Sequence, residues 1–104
     1  CRHITFEKLP KNVIDTAKHL FLDYLGVTIR GSQTASAKCA QAMAGRFRSA
    51  AADMTIIGTD VLTDGLNAAF ANGIAAHSIE CDDVVNEASL HPAVTIMTTT
   101  TRSS

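Results

Sequence analysis

The residues best suited to chemistry gather in the second half of the chain, between positions 71 and 92. This stretch holds two of the four histidines and four of the ten acidic residues, and it contains no lysine or arginine. Its most reactive side chains are His77, Glu80, Asp82, Asp83 and His91. An imidazole near its ordinary pKa, or a carboxylate whose pKa is raised, takes up a proton at pH 7. The stretch therefore predicts acid–base chemistry.

Spacing brings these groups together where a predicted helix passes into a loop. His77 and Glu80 are three positions apart, so on a helix they share one face. Asp82, Asp83 and His91 follow within the adjoining loop. The sequence thus predicts a proton-transfer site at the end of this helix.

Each of these residues also has a purely structural interpretation. His77 continues the apolar line through Ile74, which is typical of a core histidine bonded to a backbone carbonyl. Asp82 and Asp83 equally fit a solvated or capping position in a loop. His91, which precedes a proline, equally fits an ordinary loop position without a functional role. The residue types alone leave these alternatives open.

A metal-dependent hydrolase that uses His77, Glu80 and His91 is a further alternative. Imidazole and carboxylate are ordinary ligands of zinc. Their spacing matches no common metal-binding motif, so the sequence predicts neither a metal nor another cofactor. The sequence also lacks a nucleophile elbow, a phosphate-binding loop and a dinucleotide fingerprint.

The first third of the chain predicts an amphipathic helix. Pro10 suits a first helical turn, Asn12 is an alternative start, and Gly31 is a natural stop. The apolar side chains that share one helical face are Val13, Ala17, Leu20, Phe21, Tyr24 and Leu25. Residues 1–8 alternate loosely and favour a short extended arm.

The remainder predicts further helices around a short β-prone segment. Abundant alanine favours helices that pack through small side chains. The expected elements are a helix from about 35 to 51, a β-prone segment at 55–57, a turn at 58–60, a helix from 63 or 64 to about 79, a loop at 81–90 and a fourth element that opens at 91–92. The threonines at 98–101 are weak helix formers, so this last helix is not expected to continue. The predicted fold class is all-α.

Length and composition limit the possible classes of protein. With 104 residues, 46% of them hydrophobic, the chain forms one domain or part of one. The basic residues concentrate in residues 1–48 without aromatic interleaving, which argues against a nucleic-acid partner. No apolar run approaches 18 residues, so no membrane span is predicted. Three widely spaced cysteines predict free thiols and a cytoplasmic location.

Two long segments resemble the MmgE/PrpD family. The family's first long helix is similar to LPKNVIDTAKHLFLDYLGVTIRG, and its motif region is similar to TIIGTDVLTDGLNAAFANGIAAHSIECDDVVNEASLHPAV. The likeness runs through most of residues 9–96. It implies a fold in which a large all-α domain is paired with a smaller α/β domain. Residues 1–104 would then be amphipathic helices from the N-terminal part of the helical domain.

The resemblance also implies a chemistry. Members of this family remove or move a proton beside a carboxylate on small di- or tricarboxylic acids, generally without a metal or organic cofactor. We therefore expect a lyase- or isomerase-type enzyme, most similar to 2-methylcitrate dehydratase, whose full-length form is a homodimer. Dehydration, decarboxylation and epimerisation all start from the same activated carbon, so the reaction outcome stays open.

Roles for individual residues follow where this sequence matches the family's motifs. Glu80 and His91 would line the active site as catalytic residues, with His91 the candidate proton-transfer group. Asp83 would support the loop. His77 and Asn72 are expected in substrate-binding or supporting positions.

The chain also departs from the family pattern. Val84 and Val85 stand where some members carry Thr or His, so this side of the expected active site has fewer polar side chains. Residues 49–101 contain no lysine or arginine, whereas a polycarboxylate needs such cations to bind. After Val94 the sequence is threonine-rich rather than Ala/Leu-rich. These departures predict an N-terminal fragment with little or no activity by itself.

The alternative from a different functional class is a non-catalytic helical module. A helical domain that is cut short exposes parts of its core, such as the stripe of Val13, Leu20 and Tyr24. Exposed apolar patches mediate association. On this interpretation the chain serves assembly rather than catalysis.

Overall fold

The computed structural model describes residues 3–47 and 52–98, and these are mainly helical, as the all-α prediction requires. A short 3-10 helix, Phe6–Lys8, precedes the first α-helix. The remaining elements are α1 (Lys11–Gly31), α2 (Ala35–Arg46), β1 (Met54–Thr55), β2 (Leu62–Thr63), α3 (Gly65–His77) and α4 (Pro92–Met97).

The extended arm predicted for residues 1–8 is wrong at Phe6–Lys8, whereas Thr5 has an extended backbone and residues 1 and 2 lie outside the described residues. Residues Phe6–Lys8 form a 3-10 turn, in which Lys8 N–H donates to Thr5 O at 3.0 Å and Leu9 N–H donates to Phe6 O at 3.1 Å. A loose alternation of apolar residues specifies a strand only when a neighbouring strand supplies hydrogen bonds. Without such a neighbour, the backbone satisfies itself locally.

The two predicted helices of the first half are confirmed, with a shorter second helix. Pro10 precedes α1, which ends at Gly31. The side-chain oxygen of Thr34 caps α2 by accepting from Ala37 N–H at 3.3 Å. Phe47 has left the helical region of backbone conformation, so α2 ends at Arg46 rather than near residue 51.

A small hairpin follows where the sequence predicted a β-prone segment and a turn. β1 pairs antiparallel with β2, which was not predicted, and the register is Met54 with Thr63 and Thr55 with Leu62. Gly58 turns the chain between them with a φ of 81°, a backbone conformation that favours glycine.

α3 is the central helix, since it packs against α1, α2, α4 and the hairpin. The core consists largely of small side chains, as the alanine content predicted. One apolar cluster contains Ala40, Ala44, Ile56 and Ala71, and a second contains Tyr24, Ile57 and Ala76. Small side chains let the helices approach closely.

α3 and α4 are the helices that carry the candidate site residues. The carboxylate of Asp64 caps α3 by accepting from Leu66 N–H and Asn67 N–H, both at 3.1 Å. α4 ends at Met97, consistent with weak helix formation by the threonines that follow, of which 99–101 lie outside the described residues. Within the described part of the chain, no helix has the length and apolar character needed to cross a bilayer.

Candidate active site

An aspartate carboxylate lies between two imidazole rings at the carboxy-terminal end of α3. Asp82 Oδ2 is 3.0 Å from His77 Nδ1 and 3.1 Å from His91 Nδ1. The Asp82 side chain is 2% exposed, whereas those of His77 and His91 are 52% and 34% exposed. The two rings meet edge to face with centroids 4.6 Å apart. These three residues are called the His–Asp–His cluster below.

The two imidazoles differ in how they meet the carboxylate. His77 Nδ1 lies 3.2 Å from Asp82 Oδ1 and 3.0 Å from Oδ2, within hydrogen-bond geometry of both. His91 Nδ1 is within ion-pair distance of Asp82 Oδ2, but its orientation gives no hydrogen bond to any described residue, and the atom is buried. The cluster therefore contains one well-satisfied ring nitrogen and one that is buried without a hydrogen bond.

The ends of two helices position both imidazole rings. His77 is the last residue of α3, and His91 directly precedes the first turn of α4. The loop between them closes on itself where Val85 N–H donates to Leu90 O at 2.8 Å in an isolated antiparallel bridge. The chain thus leaves α3, turns back and returns His91 to the side of His77.

Asp83 ties this loop to α4. Its Oδ1 accepts from Ala93 N–H at 3.1 Å, which satisfies one of the free donors in the first turn of that helix. The prediction that Asp83 supports the loop fits this contact. Any part it has in substrate binding stays a prediction.

Glu80 lies apart from the cluster, and the predicted face shared with His77 is wrong. The Ser78 hydroxyl donates to Ala75 O at 2.9 Å, and Glu80 takes a left-handed backbone with φ 52°, so the helix ends before Glu80. The Glu80 side chain is exposed, and no residue in 3–47 or 52–98 hydrogen-bonds its carboxylate. Its catalytic role stays a prediction.

The structure also tests the structural environments proposed for the two histidines, while their roles in catalysis stay predictions. His77 is not a core histidine, since half of its side chain is exposed and its Nδ1 faces a carboxylate rather than a backbone carbonyl. His91 is not an isolated loop residue, because its ring packs on the ring of His77. The metal alternative had grouped His77, Glu80 and His91, but Asp82 takes the position assigned there to Glu80.

Asn72 is a buried residue of α3 that anchors the hairpin region. Its Oδ1 accepts from Ile57 N–H at 2.9 Å, and its Nδ2 donates to Thr55 O at 3.0 Å. These bonds pair backbone groups of the hairpin region that would otherwise be buried without a hydrogen-bond partner. They fit the supporting role predicted for Asn72, and a contact with substrate stays a prediction.

Asp82 is the residue whose importance sequence reasoning missed. It was grouped with Asp83 as one acidic pair, although the two carboxylates serve different elements. Asp82 is five positions after His77 and nine before His91, and neither spacing corresponds to a helix face or a strand. Since no local period links the three residues, only the folded loop reveals their contact.

Comparison with known families agrees with this architecture. The profile of the MmgE/PrpD N-terminal domain matches residues 1–101. The chain belongs to the MmgE/PrpD family. Searches of curated proteins and of solved structures gave no significant match. Membership in the MmgE/PrpD family indicates a lyase-type enzyme, of which this chain matches the N-terminal domain.

Proposed function

We propose that this MmgE/PrpD domain forms one wall of an active site that removes a proton beside a carboxylate of a small di- or tricarboxylic acid. The reaction most similar to the one we propose is the dehydration of 2-methylcitrate. The observation that supports this most directly is the His–Asp–His cluster, in which a nearly buried carboxylate faces the Nδ1 atoms of two partly exposed rings.

The cluster has the parts that a general base needs. A carboxylate that is hydrogen-bonded to Nδ1, as Asp82 is at His77, stabilises the tautomer with a proton on that nitrogen, which leaves Nε2 as the basic atom. At His91, Asp82 lies 3.1 Å from Nδ1 without a hydrogen bond, and its negative charge would stabilise the imidazolium that proton transfer to Nε2 produces. No described residue hydrogen-bonds Nε2 of either His77 or His91, so each remains available for substrate. In a dehydration, Nε2 of His91 would take the proton from carbon. The C–H electron pair would form the double bond as hydroxide leaves from the neighbouring carbon.

The lack of lysine and arginine in the sequence around the His–Asp–His cluster limits the ability of this side of the active site to bind a polycarboxylate. A substrate with two or three carboxylates needs arginine or lysine partners, and residues 49–101 contain none. The cations would come from the first half of the chain or from another part of the enzyme. The 104-residue chain is therefore expected to show little or no turnover.

The location and assembly of the enzyme belong to the same proposal. Cys39 and Cys81 are exposed free thiols, which fits a reducing cytoplasm. We place the full-length enzyme there as a homodimer that acts without a cofactor. Its partner would be a small polycarboxylate, not a nucleic acid or a membrane.

A domain exchange tests the proposed function. Residues 1–98 would replace the corresponding N-terminal domain of a characterised MmgE/PrpD enzyme, and turnover of 2-methylcitrate and cis-aconitate would be measured for the chimera and for the isolated chain. The chimera is expected to be active and the isolated chain inactive. In the chimera, His91→Asn should lower kcat by about 100-fold or more, the usual contribution of a general base.

Glu87→Gln, in the exposed part of the same loop, is the matched control and should leave kcat unchanged. A folded chimera without turnover, or one whose kcat is independent of His91, contradicts the proposal. Normal turnover by the isolated chain would show that its own lysine and arginine residues are sufficient to bind the carboxylates of the substrate.

A non-catalytic assembly module is the second candidate, favoured by one observation. Apolar residues of the 3-10 helix, α1 and α4 line a groove of about 480 Å³, among them Phe6, Val13, Phe21 and Met97. None of the His–Asp–His residues lines it. The groove offers a surface for association that is separate from the proposed chemistry.

A further inference from the structure

We propose that the His–Asp–His cluster is a binding site for a divalent transition-metal ion of the zinc class. The ligands would be Nδ1 of His77, Nδ1 of His91 and a carboxylate oxygen of Asp82. One ligand atom from each of these residues lies within 4.8 Å of the others. Two imidazoles and one carboxylate form a familiar three-ligand set for zinc, with the fourth position left for water or another small ligand.

The distances suit the size of such an ion. Zinc binds imidazole nitrogen and carboxylate oxygen at about 2.0–2.2 Å, so tetrahedral ligands are about 3.4 Å apart. The two Nδ1 atoms are 3.0 and 3.1 Å from Asp82 Oδ2. All the ligand atoms lie within 4.8 Å of one another, so the two rings would approach each other by at most about 1.4 Å to reach the tetrahedral spacing. His77 ends α3 and His91 directly precedes α4, so both rings are attached at helix ends.

The buried nitrogen of His91 points to the same conclusion. Its Nδ1 is shielded from solvent and forms no hydrogen bond with a described residue, although it faces the Asp82 carboxylate. A polar atom left in this state costs free energy that a partner would recover. A metal ion placed among the three residues would bind this nitrogen and still contact Asp82 and His77.

The surrounding charge favours a cation. His77 ends α3, and the carboxy-terminal end of a helix carries partial negative charge. Glu80, Asp83 and Glu87 belong to the loop that joins the two histidines, and residues 49–101 contribute no lysine or arginine. The nitrogen ligands select the type of ion, since imidazole suits zinc, cobalt and nickel, whereas magnesium and calcium prefer oxygen.

This site does not rest on the proposed function, because binding needs no substrate. It has a consequence for that function. A bound ion would occupy the Nδ1 atoms and the Asp82 carboxylate, and the carboxylate could then no longer hold the rings for proton transfer. We therefore expect zinc to inhibit the proposed reaction rather than to assist it.

Titration of the untagged 104-residue chain with Co²⁺ tests the site. Co²⁺ occupies zinc sites and gives visible absorption bands that report coordination by nitrogen and oxygen. We expect saturable binding of one ion per chain, displacement by Zn²⁺, and no competition from a large excess of Mg²⁺ or Ca²⁺. His77→Gln and His91→Gln should each weaken binding by at least tenfold. His77 is half exposed, so its variant should fold normally, which far-UV circular dichroism checks.

Two matched variants separate this site from other metal-binding groups. His19→Gln removes an exposed histidine of α1, and Cys81→Ser removes the exposed thiol beside Asp82. Both should bind Co²⁺ as the parent chain does. Absence of saturable binding, unchanged affinity in both cluster variants, loss of binding in Cys81→Ser, or equal binding of Mg²⁺ would each overturn the proposal.

Discussion

At the scale of single residues, burial affects the hydrogen bonding and the pKa of a side chain, and Tyr24 is the clearest example. Tyr24 is 1% exposed and stacks on Phe21 with ring centroids 6.4 Å apart. Its hydroxyl forms no hydrogen bond with a described residue. The Thr28 hydroxyl donates to the Tyr24 backbone carbonyl at 2.6 Å. Burial raises the pKa of the Tyr24 hydroxyl, an effect that Thr28 partly opposes.

Tyr24→Phe should leave the chain at least as stable as the parent at neutral pH. Removing a buried hydroxyl without a partner is expected to raise the free energy of unfolding by about 1 kcal/mol. Since the folded state holds the phenol proton more tightly than the unfolded state, the Tyr24 contribution to stability is constant below about pH 10. It is then lost as pH rises through the raised pKa.

Urea denaturation of both proteins from pH 7 to 11.5 measures this difference. The parent should lose stability relative to Tyr24→Phe only above about pH 10. Tyr24 is the single tyrosine of the chain, so its titration can also be followed directly by ultraviolet absorbance. A parallel loss of stability in the two proteins would contradict the prediction.

At the scale of elements, one close approach sets the packing of α1 against α3. A Cβ atom at Gly31 would overlap the carbonyl oxygen of Ala75 and lie 2.7 Å from Ser78 Oγ. The sequence predicted Gly31 as a helix stop, and α1 does end there. The structure adds that close contact between the helices requires glycine here. By contrast, a Cβ at Gly73 in α3 would make only ordinary contact with Thr98 at 3.5 Å.

Gly31→Ala should therefore destabilise the chain by about 1–3 kcal/mol, the usual cost of overpacking. Gly26→Ala in the same helix is the matched control, because a Cβ there meets no atom within 4 Å. The control should gain up to about 1 kcal/mol from the better helix propensity of alanine. Urea denaturation compares them, and a shift of both variants in the same direction would show that α1 and α3 do not meet at Gly31.

At the scale of the whole molecule, the chain leaves much apolar surface uncovered. Phe6, Val13 and Phe21 line the groove along α1 and are 67%, 45% and 37% exposed. Apolar surface of this kind commonly marks an interface. Such a face serves either candidate function, as the contact with the rest of an enzyme or as an assembly surface.

The purified chain should self-associate through this groove. Light scattering after size exclusion is expected to show a concentration-dependent mass above 11.0 kDa, which Phe6→Ser with Val13→Ser lowers toward the monomer. Leu66→Ser is the control, since Leu66 is 82% exposed but does not line the groove. A monodisperse, cooperatively folded parent monomer would count against the assembly module.

Local patterns predicted the helices well because their signals lie within a few residues of each other. Asp64 marked the start of α3 through its capping side chain, and the proline after His91 marked the start of α4. The second strand was missed because Leu62–Thr63 is too short to carry a pattern. The early end of α3 was missed because Ser78 bonds to Gly31 O at 3.2 Å, on a helix that is 47 positions away.

The sequence by itself determined the helical class, the family, and the concentration of imidazoles and carboxylates between residues 71 and 92. Only the tertiary structure decided which carboxylate meets both rings. Glu80 had the helical spacing to His77, but α3 ends first, and the loop folds back so that Asp82 lies between His77 and His91. Contacts across a folded loop have no period in the sequence, because they depend on where helices end and how the chain returns.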